Sequence, residues 1–178
     1  QVCDWVLAPA FVDHAVELMA FNITASLLTH LNYVGVIAIE FFYGKDGLQV
    51  NEIAPRTHNS AHFSIEACSS SQFDQQLCIT AGLPVPLPEM TTPGALMVNL
   101  LGQANGKLPK LDKRLETLSR NNAFNVHWYG KAHESPGRKL GHVTVLLKEE
   151  SIAARRKEAK RLLEDIRSIW PLPSSTSD

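Results

Sequence analysis

The stretch Leu83–Pro93 constrains this chain more than any other, because it holds four prolines. Each lacks an N–H and fixes φ near −65°, so neither a helix nor a central strand runs through it. The 178 residues are therefore expected to divide into a first unit over 1–83, a linker over 84–93, a smaller unit over 94–171 and a tail over 172–178. A hydrophobic share of 44% supports packed cores and argues against disorder. A net charge of −1 gives no electrostatic reason to expect nucleic acid or an anionic membrane as partner. No apolar run is long enough to span a bilayer. Cys3, Cys68 and Cys78 match no zinc or redox spacing, which points to a reducing, cytoplasmic compartment. The start at Gln1, with no methionine and an immediate apolar stretch from Val6 to Ala10, suggests a chain cut from something longer.

Periodicity gives the elements. Asp13 is expected to cap a helix running to about Leu31, with Val16, Met19, Ala20, Ile23, Leu27 and Leu31 on one buried face. Strands over Val34–Tyr43 and Leu48–Ile53 are joined by Gly44, Lys45, Asp46 and Gly47, a hairpin turn composition. A polar loop covers Ala54–Ser64. Ser71 and Asp74 then form a capping-box pattern before a helix that stops near Gly82 and Pro84. Beyond the prolines, strands are expected at about Ala95–Leu101, Ala123–Tyr129 and His142–Leu147. A basic helix, Ile152–Trp170, follows with Leu162, Leu163, Ile166 and Ile169 on its apolar side. The fold class is α+β.

Two carboxylates stand out in the hairpin. Val34, Val36, Ala38 and Glu40 share one strand face, and Leu48, Val50 and Glu52 share another. A three-residue loop would set Glu40 opposite Glu52; a loop one residue shorter or longer gives a different pairing. If paired, their Cβ atoms lie about 5 Å apart. Two carboxylates so close on an apolar face repel each other and resist desolvation. A bound cation relieves both, and an all-oxygen pair suits magnesium. The alternative is that one Glu turns outward and the pair is simply solvated. Asn51, next to Glu52 but of opposite parity, reaches the same metal only if the strand twists or ends there.

The loop after the hairpin concentrates Arg56, His58, Asn59 and His62. A planar guanidinium fork with directional imidazole and amide donors suits a small oxyanion beside a metal-bound phosphate. The same residues also suit a polar surface loop that caps the next helix. Farther on, Tyr129-Gly130-Lys131 and Gly137-Arg138-Lys139-Leu140-Gly141-His142 flank a Pro136-Gly137 turn. Lys131 and Arg138 there either converge on one phosphate or form a solvated basic loop.

The run Val50-Asn51-Glu52-Ile53-Ala54-Pro55-Arg56, then His58-Asn59-Ser60, resembles the ATP-grasp family of 5-(carboxyamino)imidazole ribonucleotide synthases. Gly35–Phe42 and Met97–Gly102 are also similar, and the likeness runs from about Cys3 to beyond His142. Related formate-using purine ligases share the Pro-Arg turn but usually carry Asp where Asn59 stands. This chain departs from the family pattern at Ala61, where Gly is usual, and at Phe63, where Trp is usual.

The resemblance implies the C-terminal half of an ATP-grasp domain, then a small β-rich C-terminal domain with a terminal helix. It implies carboxylation of 5-aminoimidazole ribonucleotide by bicarbonate in purine biosynthesis, with ATP and Mg2+ as cofactors. Glu40, Glu52 and Asn51 would hold metal, with Asn51 and Glu52 also facing the nucleotide. Arg56, His58 and Asn59 would hold bicarbonate or carboxyphosphate, and Lys131 and Arg138 the phosphate of the ribonucleotide. The ATP lid and adenine-binding residues of the family have no counterpart here, so the N-terminal ATP-grasp part counts as a missing partner and this chain alone is expected to be inactive. The family is often dimeric, which makes a homodimer a further expectation. Two other readings remain: another ATP-grasp carboxylate–amine ligase, or a non-catalytic nucleotide-binding or assembly module.

Overall fold

The computed structural model describes residues 2–103, 110–131 and 133–173. It divides into two compact units, one formed by 10–89 and the other by 1–9 with 90–178. The first nine residues thus do not join the unit that follows them, contrary to the expected grouping of 1–83. The reason is strand pairing: β1 (Trp5–Ala8) lies antiparallel to β4 (Gly94–Leu101), with Trp5 opposite Val98 and Ala8 opposite Ala95.

The 10–89 unit holds helix α1 (His14–Leu31), strands β2 (Ala38–Gly44) and β3 (Gly47–Ala54), and helices α2 (Ser64–Ala67) and α3 (Gln72–Thr80). Asp13 occupies the N-cap position of α1 in extended conformation, but its side chain makes no capping hydrogen bond. The expected buried face of α1 is not formed: Val16 is its buried residue, whereas Met19, Ile23 and Leu31 are exposed. A sheet of two strands, spaced about 5 Å apart, is too narrow to cover an 18-residue helix. An apolar groove of about 550 Å³ opens between α1 and the hairpin, lined on one side by Ile23 and Leu27 and on the other by Ile39, Val50 and Ile53. Strand β2 begins at Ala38 rather than Val34 because the Tyr33 hydroxyl donates to the Val36 carbonyl (3.0 Å) and closes a turn there. The polar loop is more ordered than expected, containing a 3-10 turn over Asn59–Ala61 and then α2. Helix α3 starts with a complete capping box. The Asp74 amide donates to the Ser71 hydroxyl, and the Ser71 amide donates to the Asp74 carboxylate.

The other unit is a four-stranded antiparallel sheet in the order β1-β4-β6-β5, with β5 at Asn125–Trp128 and β6 at Lys139–Leu147. Helix α4 (Leu111–Ser119), absent from the sequence expectations, and helix α5 (Ile152–Ile169) complete it. All eight residues of the inner strand β4 are buried. Leu96, Val98, Leu100, Leu140, Val143 and Val145 build the core with Leu162, Ile166 and Trp170. Leu163 and Ile169 pack against its margin, so the apolar side of α5 faces as its spacing requires.

Ser71 holds the Asp74 carboxyl below the usual carboxylate range, through its hydroxyl first and its amide second. A depressed folded value means that the capping box contributes above the unfolded pKa of about 3.9 and fades as pH falls through the folded value. Ser71→Ala should therefore move the Asp74 titration back toward the ordinary range, read by carbon-detected NMR between pH 2 and about 6.

Candidate active site

The hairpin brings Glu40 opposite Glu52, by a route other than the expected three-residue loop. Gly44 pairs with Gly47, so the loop has two residues, and this register would set Glu40 against Asn51. Between Phe41↔Val50 and Glu40↔Glu52 the register shifts by one, leaving Asn51 as the extra residue of a β-bulge. The bulge has two consequences. On the turn side it places Val50 opposite Phe41, so Val50 no longer shares the face of Glu52. Val50, Ile53 and Ile39 line the groove toward α1, while Glu40 and Glu52 point to the other face. The carboxylates therefore do not sit among Leu48 and Val50 as expected. The second consequence is that Asn51 reaches their face: its Nδ2 donates to Glu40 Oε2 at 3.0 Å.

The loop delivers His58 to the same place. His58 is 8% exposed, and its Nε2 stands 3.7 Å from Glu40 Oε1, an ion-pair rather than hydrogen-bond separation. The Ser60 amide donates to His58 Nδ1 (3.3 Å), so in a neutral ring the proton sits on Nε2, directed at Glu40. The His58 backbone is clamped by the buried side chain of Gln72. The His58 amide donates to Gln72 Oε1 (2.7 Å), and Gln72 Nε2 donates to the His58 carbonyl (2.9 Å). The same Nε2 lies 2.9 Å from His62 Nδ1, and His62 stacks on Phe73 at 5.5 Å. Sequence reasoning missed Gln72. Its signal was position: the capping box makes it the first helical residue, directed back at the loop.

Arg56 is exposed at the start of this loop and donates from Nη1 to the Thr57 carbonyl (2.9 Å). Asn59 opens the 3-10 turn and is half-buried. Ala61 has no positive φ, so the usual glycine is not required by the backbone there. Glu40, Asn51, Glu52 and His58 are thus brought together, with Arg56 and Asn59 on the same connection. Two carboxylates and an amide are hard oxygen donors, the set that magnesium accepts. Among the described residues no group of three or more His, Cys, Asp or Glu is arranged for a metal. A metal at Glu40 and Glu52 would complete its shell with water and phosphate oxygens, as magnesium does.

Lys131 and Arg138 lie in the other unit, at the two ends of the connection between β5 and β6. Lys131 is half-buried; its Nζ donates to the Lys139 carbonyl and lies 5.5 Å from the centre of the Tyr129 ring. The Tyr129 hydroxyl is 2.8 Å from Nδ1 of buried His142, which stacks on His127 at 4.5 Å. Arg138 is exposed and donates from Nη1 to the His133 carbonyl (3.3 Å). The connection is stitched to the end of β4. The Gly102 amide donates to the Arg138 carbonyl (2.8 Å), and the Gly137 amide donates to the Gly102 carbonyl (3.0 Å). A Cβ on Gly102 would stand 2.2 Å from the Ser135 carbonyl oxygen, so only glycine fits there.

Residues 1–73 match the ATP-grasp domain, and residues 95–156 match the phosphoribosylaminoimidazole carboxylase C-terminal domain. N5-carboxyaminoimidazole ribonucleotide synthase of Synechococcus elongatus is 44% identical over 98% of this chain and 44% of its own length. Phosphoribosylaminoimidazole carboxylase of Saccharomyces cerevisiae is 38% identical over 82% of this chain and 26% of its own. The crystal structure of the Aspergillus clavatus N5-carboxyaminoimidazole synthase with ADP and 5-aminoimidazole ribonucleotide superposes with a TM-score of 0.79 at 30% identity. It covers 95% of this chain and 44% of that one.

The fold and these matches place the chain in the ATP-grasp class. More narrowly, it belongs to the N5-carboxyaminoimidazole ribonucleotide synthase family and corresponds to the C-terminal part of its members. It spans less than half the length of the curated relatives that it matches.

Gln72→Ala should cost about 1–3 kcal/mol in urea unfolding, because the buried His58 amide and carbonyl lose both partners. An unchanged midpoint would show that the clamp does not hold the loop.

Proposed function

We propose that this chain carries the metal–phosphate side and the ribonucleotide anchor of an ATP-dependent carboxylation of 5-aminoimidazole ribonucleotide by bicarbonate. The observation that carries the reading is the bulge at Asn51, which gathers Glu40, Asn51 and Glu52 on one face beside His58. A relative with this fold has been crystallised with ADP and 5-aminoimidazole ribonucleotide.

On this reading Glu40 and Glu52 would hold magnesium with Asn51, and the bound ion would neutralise charge on the nucleotide phosphates. Bicarbonate oxygen attacks the γ-phosphorus as ADP leaves, giving carboxyphosphate. The substrate amine then takes the carboxyl carbon, loses a proton, and inorganic phosphate departs. The protein forms no covalent bond, so positioning and charge neutralisation carry the reaction. Arg56, His58 and Asn59 orient the small anion. The Ser60 amide, donating to His58 Nδ1, fixes the ring with Nε2 3.7 Å from Glu40 Oε1. Lys131 and Arg138 take the ribonucleotide phosphate as charge-assisted donors. No disulfide joins Cys3, Cys68 and Cys78, which suits a reducing cytoplasm.

The two groups of residues should separate in binding. Lys131→Ala or Arg138→Ala should weaken 5-aminoimidazole ribonucleotide by roughly ten- to a hundredfold, the equivalent of about 1.5–3 kcal/mol for a hydrogen bond to a charged group. Each should leave Mg-ATP affinity unchanged. Glu52→Gln should do the reverse. Calorimetric titration of each ligand reads both, and a Glu52→Gln loss confined to the ribonucleotide would contradict the assignment.

A further inference from the structure

The connection that carries Lys131 and Arg138 also carries an ion pair whose arginine is buried. Glu134 lies between them in sequence. Its partner is Arg114 of α4, 4% exposed, whose Nη2 reaches both carboxylate oxygens at 3.0 and 3.2 Å. The Gln103 backbone amide donates to Glu134 Oε1 at 2.9 Å. The Arg114 guanidinium itself rests 4.1 Å over the buried Trp170 ring, so the pair is tied to the core of the unit.

We propose that Glu134, held by Arg114 and the Gln103 amide, is a positioning residue that fixes the Lys131–Arg138 connection for a phosphate monoester. This rests on the reading that Lys131 and Arg138 bind the ribonucleotide phosphate. Two features support it. The carbonyl that accepts from Arg138 Nη1 belongs to His133, the neighbour of Glu134. Fixing Glu134 therefore fixes the acceptor that aims the Arg138 guanidinium. The second feature is electrostatic. A carboxylate between two phosphate-binding cations would pair with them and compete with the ligand. Arg114 takes up that negative charge from the core side, so Lys131 and Arg138 keep theirs for an incoming anion. An ion pair anchored at a buried arginine supports the segment that carries its carboxylate, and two Gly102 backbone hydrogen bonds tie Gly137 and Arg138 to the end of β4.

The test is a mutant cycle on the 178-residue chain, with 5-aminoimidazole ribonucleotide as the probe in calorimetry and thermal unfolding as the control for folding. Glu134→Gln keeps the side-chain shape and an acceptor for Gln103 but removes the charge. It should weaken the ribonucleotide roughly tenfold. In the Lys131→Ala/Arg138→Ala background the same change should cost nothing further, because Glu134 acts only through those cations. A general structural role would persist in that background. Arg114→Lys keeps the positive charge but loses the stacked, shared geometry, and it should give a smaller loss in the same direction. It also serves where Glu134→Gln lowers the melting temperature too far for binding to be read. Wild-type affinity in either folded variant, or an undiminished Glu134→Gln loss in the double background, would overturn the proposal while leaving the phosphate-binding reading intact. No ribonucleotide binding by the unmodified chain, or no effect of Lys131→Ala/Arg138→Ala, would overturn that reading and this proposal with it.

Discussion

The hydrogen bond from Asn51 Nδ2 to Glu40 Oε2 exists because one residue of β3 is left out of the ladder. That extra residue decides both faces of the hairpin. It turns Val50 to the α1 side and keeps Glu40 opposite Glu52, although the two-residue turn alone would set Glu40 against Asn51. The hairpin can then present apolar side chains to a helix on one face and hard oxygen donors on the other. A regular two-residue hairpin would mix these two sets. His58 adds to the donor face only because Gln72 holds its backbone from the start of α3. The local site is therefore a bulge, a clamped loop and a capped helix, in that order of dependence.

The other unit carries Lys131 and Arg138 on the connection between β5 and β6. Its inner strand β4 is buried throughout and ends at Gly102, where the connection lies too close for any side chain. The strand that fixes the core thus also holds Ser135, Gly137 and Arg138 close to its end.

Much of this was legible in the residues. Local signals held: the capping box at Ser71 and Asp74, the Gly44–Gly47 turn, the strands after the prolines and the apolar stripe of α5. Three features were not, and each depends on a partner distant in sequence or on an irregularity. β1 is four residues long and is defined by β4, whose Val98 pairs with Trp5. The face expected for α1 from helical spacing has only a two-stranded sheet to pack on in its unit, and Met19, Ile23 and Leu31 stay exposed. The bulge breaks the period of two on which the face assignments rested. Its trace in the sequence is that Val50 and Ile53, three apart, both serve the apolar face, so alternation fails between them. α4 was legible but missed: Leu111, Leu115 and Leu118 recur at helical spacing, and all three lie in or against the core.

The central claim is that the bulge builds a site for a divalent cation with nucleotide phosphate. Titrating the chain with Mn2+ and ATP while recording amide relaxation by NMR tests it directly, since paramagnetic broadening falls off steeply with distance from the ion. The account predicts that broadening begins at Glu40, Asn51 and Glu52, extends next to His58, and is removed by excess Mg2+. Broadening that begins at Asp46 or other exposed carboxylates, with the hairpin face unaffected, would contradict it.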